Sequence, residues 1–476
     1  MFAVLVTCST ARRLFGREGA EDSFSPPCWS IVSVMQIPSS SIRPLLRKLI
    51  VRGLAAVDAS MAVDRAISKN GEKLVIGRRR YDLRCYERVV VLGAGKAAAS
   101  MAQAVEQRLG SRLQGGFVVV KHGHVVSTKR IVVAEAGHPV PDRFGQKAAA
   151  RLCAMAAELG RRDLLILLLS GGASSLLPAP VAGITLADKQ RTTQELLRCG
   201  ASIRDINTVR KHLSRIKGGR LAELTEATVV TLVLSDVLGD DLSAIASGPT
   251  TPDPTTYHEA VAILKRYRIW PAIPQRVRQH LDHGCQGLLS ETPKPGSSRF
   301  RRIHHHIVGN NAAAVKAVAC AAREAGLRIL VRPAITGEAR DEGRRFGALA
   351  REIVREGKLL QGPCCVVAGG ETTVTVSGKG IGGRAQEFAA AAALEIAGLA
   401  QVWVAAIGTD GTDGPTDAAG AVVDGNTAAR AQRLSVDLDG ALKRHNIYPA
   451  LKKLDQLIMT GPTGTNVNDL YLILVR

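Results

Sequence analysis

From residue 42 onward the chain's apolar and polar positions follow two periods. Residues 43–70 carry apolar side chains at helical spacing and predict one amphipathic helix. Short Val/Leu/Ile runs then alternate with Ala-rich segments. ERVVVLG, GFVVVK, RIVVAEA, DLLILLL and TVVTLVLSD predict strands, with helices from about Lys96 and over 145–159, 185–198 and 203–215. DLLILLL is apolar on both faces, as a strand inside a parallel sheet must be. The Pro/Gly/Ser-rich stretch QGLLSETPKPGSS reads as a linker, followed by a second βα series through IHHHIVG, RILVRP, CCVVAGG and TTVTVSG to the closing LYLILV. The expected fold class is α/β, with a Rossmann-like, doubly wound parallel sheet first and a second α/β domain after it. Its active site is expected where loops leave the carboxyl ends of the strands. The expected division is a disordered extension over 1–41, a first domain over 42–283, a linker over 284–302 and a second domain over 303–476.

Composition narrows the class. At 476 residues, with 46% hydrophobic positions and mean hydropathy +0.07, the chain can bury a large core. The net charge of +21 raises nucleic-acid binding as a role, but aromatics are only 4% and no zinc-finger spacing or long Lys/Arg block occurs. An Arg-rich solvated surface that draws in anionic substrates fits better. Nine scattered cysteines without a CxxC pair predict reduced thiols in a cytoplasmic setting. The long apolar run over 388–408 contains Glu395 and Gln401, so it reads as a helix and a strand rather than a membrane span. FAVLV precedes Arg12 and Arg13, the reverse of a secretory signal, and Met35 is a candidate second start.

Five glycine-rich stretches carry the candidate chemistry. In LGAGKAAA, Gly93, Gly95 and Ala98 match the dinucleotide fingerprint, but the next strand ends at Lys121 and not at an acid. The other reading is a helix N-terminus that offers its amides and Lys96 to an anion. SGGASS places Ser170, Gly171, Gly172 and Ser174 after the most apolar strand, as an anion nest; it is not a nucleophile elbow. The absence of a Walker A pattern excludes a P-loop kinase. Asp236 closes a strand predicted to be buried, where an uncompensated carboxylate is costly, so it marks a metal or a substrate hydroxyl; Asp240 and Asp241 read equally well as helix caps. In GGETTVTVSGKGIGGRAQE, Glu371 follows a strand, and Lys379 and Arg384 flank Gly382 and Gly383. Arginine at a loop–helix junction suits carboxylate or phosphate. Asp410, Asp413 and Asp417, among Gly and Thr, suggest an oxygen-rich cation site without EF-hand spacing. Thr463, Gly464, Thr465 and Asn466 could hold a second phosphate. His304, His305 and His306 open a strand and do not read as a metal tract.

Together these stretches resemble the glycerate 2-kinases whose C-terminal half carries the MOFRL domain. The resemblance rests on LGAGKAA, EAGHPVPD, LLSGGASSLLPAP, NTVRKHLSRIKGGRLAE, SDVLGDDLSAIASGPTTPDP, GGETTVTVSGKGIGGRAQE, GTDGTDGPTDAAGA and TGPTGTNVNDL, in family order from residue 42 to the C-terminus. It implies ATP- and Mg2+-dependent phosphorylation of D-glycerate to 2-phosphoglycerate, with the active site in the cleft between the two domains and a MOFRL-type region over about 363–472. Lys96 matches the family's catalytic Lys and Arg384 its active-site Arg. Asp410 and Asp413 become the expected Mg2+ ligands and Asp236 the expected proton acceptor. Expected partners are the small molecules D-glycerate and ATP, with no nucleic acid and no membrane; a homo-oligomer is allowed. One departure stands out: Ala385 replaces the family's usual Asn, removing an amide able to orient substrate. The alternatives are a hydroxypyruvate reductase, resting on the LGAGKAA fingerprint, and a non-catalytic nucleotide- or sugar-acid-binding protein, resting on Ala385.

Overall fold

The computed structural model describes residues 35–38, 40–357 and 360–476. Residues 35–38 are packed where a disordered extension is expected through residue 41: Met35 and Ile37 lie in the core, and Gln36 bridges Met459. Residues 1–34 and 39 of that extension fall outside the described residues.

The single helix expected over 43–70 is divided. Arg43–Ala56 ends at Val57, and Asp58 caps a second helix, Ala59–Ala66, by accepting the Met61 amide at 2.8 Å. An antiparallel meander follows: β1 (Ile67–Asn70), β2 (Lys73–Ile76) and β3 (Arg79–Asp82). Its two-residue turns begin at Gly71 and Gly77, both at positive φ, so Asn70-Gly71 was the hairpin signal inside the helical pattern.

The first large sheet comprises β4 (Arg88–Ala94), β5 (Gly115–Lys121), β6 (Ile131–Ala136), β7 (Asp163–Leu169), β8 (Thr228–Leu234) and β9 (Ile303–Gly309). All pairings are parallel and the order is β6-β5-β4-β7-β8-β9, the doubly wound arrangement whose switch point falls between β4 and β7. All seven residues of β7 are buried. Two boundary expectations are corrected here. β9, expected to open the second domain, pairs with β8. The expected linker is folded onto the first unit: Thr292 is buried and donates to Asp253 at 3.0 Å, and Glu291 accepts the Tyr257 amide at 2.8 Å. Its Pro and Gly mark irregular backbone, not exposure.

The second sheet is mixed. β10 (Arg328–Val331) and β11 (Ile335–Glu338) lie parallel to β12 (Cys364–Thr373). β13 (Val402–Gly408), β14 (Gly420–Asp424), β15 (Leu457–Ile458) and β16 (Asp469–Val475) complete it antiparallel, in the order β10-β12-β16-β13-β14-β15. The 388–408 run is the end of helix Arg384–Glu395 and strand β13. Among the described residues no helix is long and apolar enough to cross a membrane.

One core joins the units. Helix Arg43–Ala56 packs on helix Asn311–Glu324, and Gly53 lies against Val318 and Leu470 of the second unit. Leu49, Val91, Leu168, Val318 and Leu472 belong to the same apolar cluster.

The switch point is held by close backbone approach. A Cβ at Gly95 would lie 2.1 Å from Ser170 Oγ, and Gly95 sits at φ +139, a region L side chains rarely adopt. Replacing Gly95 with Ala is expected to cost about 2–4 kcal/mol through overpacking and backbone strain, read as a lowered Tm in thermal denaturation.

Candidate active site

The loops leaving β4 and β7 are stitched together. Ser170 N donates to Ala94 O at 3.1 Å, Lys96 N to Gly171 O at 2.9 Å, and Ser170 Oγ accepts the Ala97 amide at 3.0 Å. Gly95 N donates to Val119 O at 3.0 Å. The amides of residues 95–97 are therefore spent inside the protein and cannot cradle a pyrophosphate or another anion. Gly93 has a packing role, since a Cβ there would meet Leu168 O at 2.6 Å. Lys96 remains available through its side chain alone. Its Nζ donates to Asp410 Oδ2 at 3.1 Å, across to the second unit, with about a fifth of each side chain exposed.

The β7 loop keeps free donors. Among the described residues no hydrogen bond uses the amides of Gly171 or Gly172. Gly172 packs against His138 and Lys96, and Gly171 against the Asp236 carboxylate and the Asn466 amide. Ser174 turns away from this face and bonds Lys217 Nζ at 2.7 Å.

Asp236, just past β8, is half-buried, and Asn468 Nδ2 donates to its carbonyl at 2.7 Å. Burial pushes its carboxyl up to about 6, reinforced by Glu371 and opposed by Lys96. His138 is pulled down to about 4 by burial and by Lys96 and Lys121, and so stays neutral. Lys96, Gly171, Gly172, Asp236, Asp410 and Asn466 thus converge on one cleft between the two units.

Arg384 sits at its edge in a double ion pair. Its Nη1 donates to Glu371 at 2.7 Å, and Nε and Nη2 grip Asp469 at 2.7 and 3.0 Å. Burial pushes the Asp469 carboxyl up, and Arg384 opposes that shift. The arginine is the counter-ion of a buried acid, not a free cation.

Other candidates are placed elsewhere. Asp413 is buried and accepts the Ala385 and Gln386 amides at 3.1 and 2.9 Å, capping the helix that starts at Arg384; it does not face the cleft as a metal ligand. Gly383 packs on that carboxylate and Gly382 on Ile447, so both glycines serve packing. Lys379 is exposed, as is Gly464. The hydroxyls of Thr463 and Thr465 are used by the carbonyls of Thr409 and Val57. Ala385 is fully buried in the second core. Asp469 and His138 lie at the site without having been singled out. Asp469 had a signal like that of Asp236: a lone acid beside an apolar strand, opening it where Asp236 follows one.

Removing the Arg384 guanidinium leaves Asp469 buried without its counter-ion. Arg384→Ala is expected to lose about 3 kcal/mol at neutral pH. The raised folded-state pKa of Asp469 sets the sign: the loss shrinks as pH falls and the acid protonates. Tm measured against pH checks this, and Asp469→Asn in the same background should recover most of the loss.

Comparison with known proteins agrees with this architecture. Residues 45–282 match the family described as Domain of unknown function (DUF4147), and residues 364–469 match the MOFRL family. The chain is 41% identical over 439 residues to a glycerate 2-kinase of Pyrococcus horikoshii, covering 91% of this chain and 97% of that one. It is 42% identical over 396 residues to an Agrobacterium vitis protein provisionally named a hydroxypyruvate reductase, covering 82% and 99%. The crystal structure of glycerate kinase from Thermotoga maritima superposes with a TM-score of 0.81 at 39% identity, covering 92% of this chain and all of that one. With a doubly wound first sheet, a MOFRL-matched second sheet and relatives aligned end to end, the chain belongs to the MOFRL-domain glycerate kinase family.

Proposed function

We infer that the chain transfers the γ-phosphoryl group of ATP to the 2-hydroxyl of D-glycerate. The observation that carries this reading is the convergence, at the switch point, of one cation, two unspent amides and a half-buried carboxylate, together with the family membership. Phosphoryl transfer needs charge neutralisation and alignment more than covalent help. The Gly171 and Gly172 amides and Lys96 are placed to bind phosphate oxygens. The 2-hydroxyl oxygen attacks the γ-phosphorus, the bond to the β–γ bridging oxygen breaks, and ADP leaves with that electron pair. Asp236 receives the hydroxyl proton; a carboxyl near 6 is ionised at neutral pH yet basic enough to accept it.

Among the described residues no group of three or more His, Cys, Asp or Glu could hold a metal ion. A resident metal cage therefore does not fit, but a Mg2+ arriving with the nucleotide does. Such an ion needs only one or two carboxylates, and Asp410, partly exposed on the cleft, would supply one. Bound Mg2+ would neutralise phosphate charge. Asp413 is excluded from this role by its bonds to the Arg384–Glu395 helix.

The hydroxypyruvate reductase reading draws support from the name of the Agrobacterium relative. Against it stand the spent amides of residues 95–97 and Lys121 at the end of β5. Incubation with D-glycerate, ATP and Mg2+ should yield ADP and 2-phosphoglycerate, resolved from the 3-isomer by phosphorus NMR. Glycerate-dependent reduction of a nicotinamide without ADP would reverse the assignment.

Lys96→Ala should lower turnover by at least about tenfold with the fold intact. Asp236→Asn should lower it about 100-fold or more. The wild-type rate should fall as pH drops through about 6. Because the folded state raises this acid's pKa, its charge costs stability above that pH, so Asp236→Asn should also raise Tm at pH 7. An unchanged rate in both variants would reject these roles.

A further inference from the structure

Two buried lysines and a half-buried arginine lie behind the β7 loop without a carboxylate among the described residues to balance them. Lys189, on helix Leu186–Arg198, is 7% exposed, and its Nζ has no hydrogen-bond partner among the described residues. Lys217 is 2% exposed, and its Nζ donates only to neutral oxygens: Ser174 Oγ at 2.7 Å, Ser174 O at 2.9 Å and Ala246 O at 3.5 Å. Arg210, half-buried on helix Ile203–His212, forms no ion pair among the described residues. Burial pulls all three downward, Lys189 to about 7, and both lysines feel the charge of Arg210.

The same helix shows that the fold provides acids where it needs them. Lys211, next to Arg210, pairs with Asp253 at 3.3 Å, and His212 faces Glu291 at 3.2 Å. Hydroxyls surround the unbalanced group. Ser174 Oγ lies 3.0 Å from Ser247 Oγ, and Ser247 Oγ donates to Asn207 Oδ1 at 3.1 Å. Ser247 is held there by three successive left-handed residues, Ala246, Ser247 and Gly248, at φ 54, 60 and 62. The first two cost roughly 1–2 kcal/mol each. Ser174 is two residues beyond Gly172, which lines the cleft against Lys96 and His138.

Buried cations are stable in company with an anion, and an uncompensated one is costly. We propose that Lys189, Arg210 and Lys217, with the hydroxyls of Ser174 and Ser247, form an oxyanion site that takes a phosphate or carboxylate group of a ligand bound in the adjoining cleft. Only the choice of ligands rests on the kinase reading. An arriving anion favours the charged lysine, so binding at about pH 8 must take up a proton.

The test is calorimetric titration of the full chain with inorganic phosphate, ADP and D-glycerate separately, in two buffers of different ionisation enthalpy. Wild-type protein should bind at least one of them with proton uptake. Lys189→Met should reduce the uptake and weaken that ligand about tenfold or more, and Arg210→Gln should weaken the same ligand. Losses confined to phosphate and ADP identify a phosphate group; losses confined to D-glycerate identify its carboxylate. Should Lys189→Met not fold, Arg210→Gln carries the comparison. Unchanged affinities in a folded variant, or wild-type binding without proton uptake, overturn the proposal and leave a neutral core lysine. Binding is read without turnover, so wild-type protein that binds phosphate but makes no ADP would refute the kinase reading and leave this site standing.

Discussion

The site depends on the contact between Gly95 and Ser170. Two adjacent parallel strands end at the same level, and their loops close so tightly that no side chain fits at Gly95. That closure consumes the amides on the β4 side, leaves those of Gly171 and Gly172 free on the β7 side, and sends the Lys96 side chain toward Asp410. A sheet that resembles a dinucleotide-binding fold is thereby turned to a different use. The unspent amides lie not in the first turn, where a dinucleotide-binding sheet offers them, but in the loop after the neighbouring strand β7.

The second constraint is charge. Asp236 and Asp469 sit at strand ends where burial disfavours their ionised forms. Each is offset by a cation from a different element, Lys96 for the first and Arg384 for the second. Asp236 keeps the weaker compensation and the greater access, which suits proton transfer; Asp469 is gripped by two guanidinium nitrogens, which suits anchoring. The units are thus held together at the cleft by polar contacts as well as by their shared core. Asn468 reaches the Asp236 carbonyl, and Asp410 reaches Lys96.

Much of this was legible in the sequence because it depended on local rules. Strand and helix periods, the apolar β7 and the glycine-rich loops at strand ends placed the first sheet and the cleft. A lone acid after an apolar strand marked Asp236, and the same rule extended to the start of a strand would have marked Asp469. Long-range pairing was less legible. Nothing local to IHHHIVG says that it joins β8, and the Pro and Gly of 284–302 look alike in a free linker and in a segment bonded to Asp253. Glycine was the most ambiguous residue: in GKGIGGR it signalled ligand approach, whereas Gly382 and Gly383 make room for Ile447 and Asp413.

The net charge of +21 takes on a more specific meaning in this frame. A diffuse positive field draws anions toward the molecule but cannot choose among them. Choice requires cations that are desolvated and held at fixed positions, because attraction strengthens and geometry matters where water is excluded. In this chain such cations flank the β7 loop on both sides, with Lys96 on the cleft face and Lys189, Arg210 and Lys217 behind it. The loop between them is short and glycine-rich, and among the described residues its Gly171 and Gly172 amides are unspent. A ligand bearing two anionic groups is the kind of molecule that this arrangement of cations would hold in one orientation.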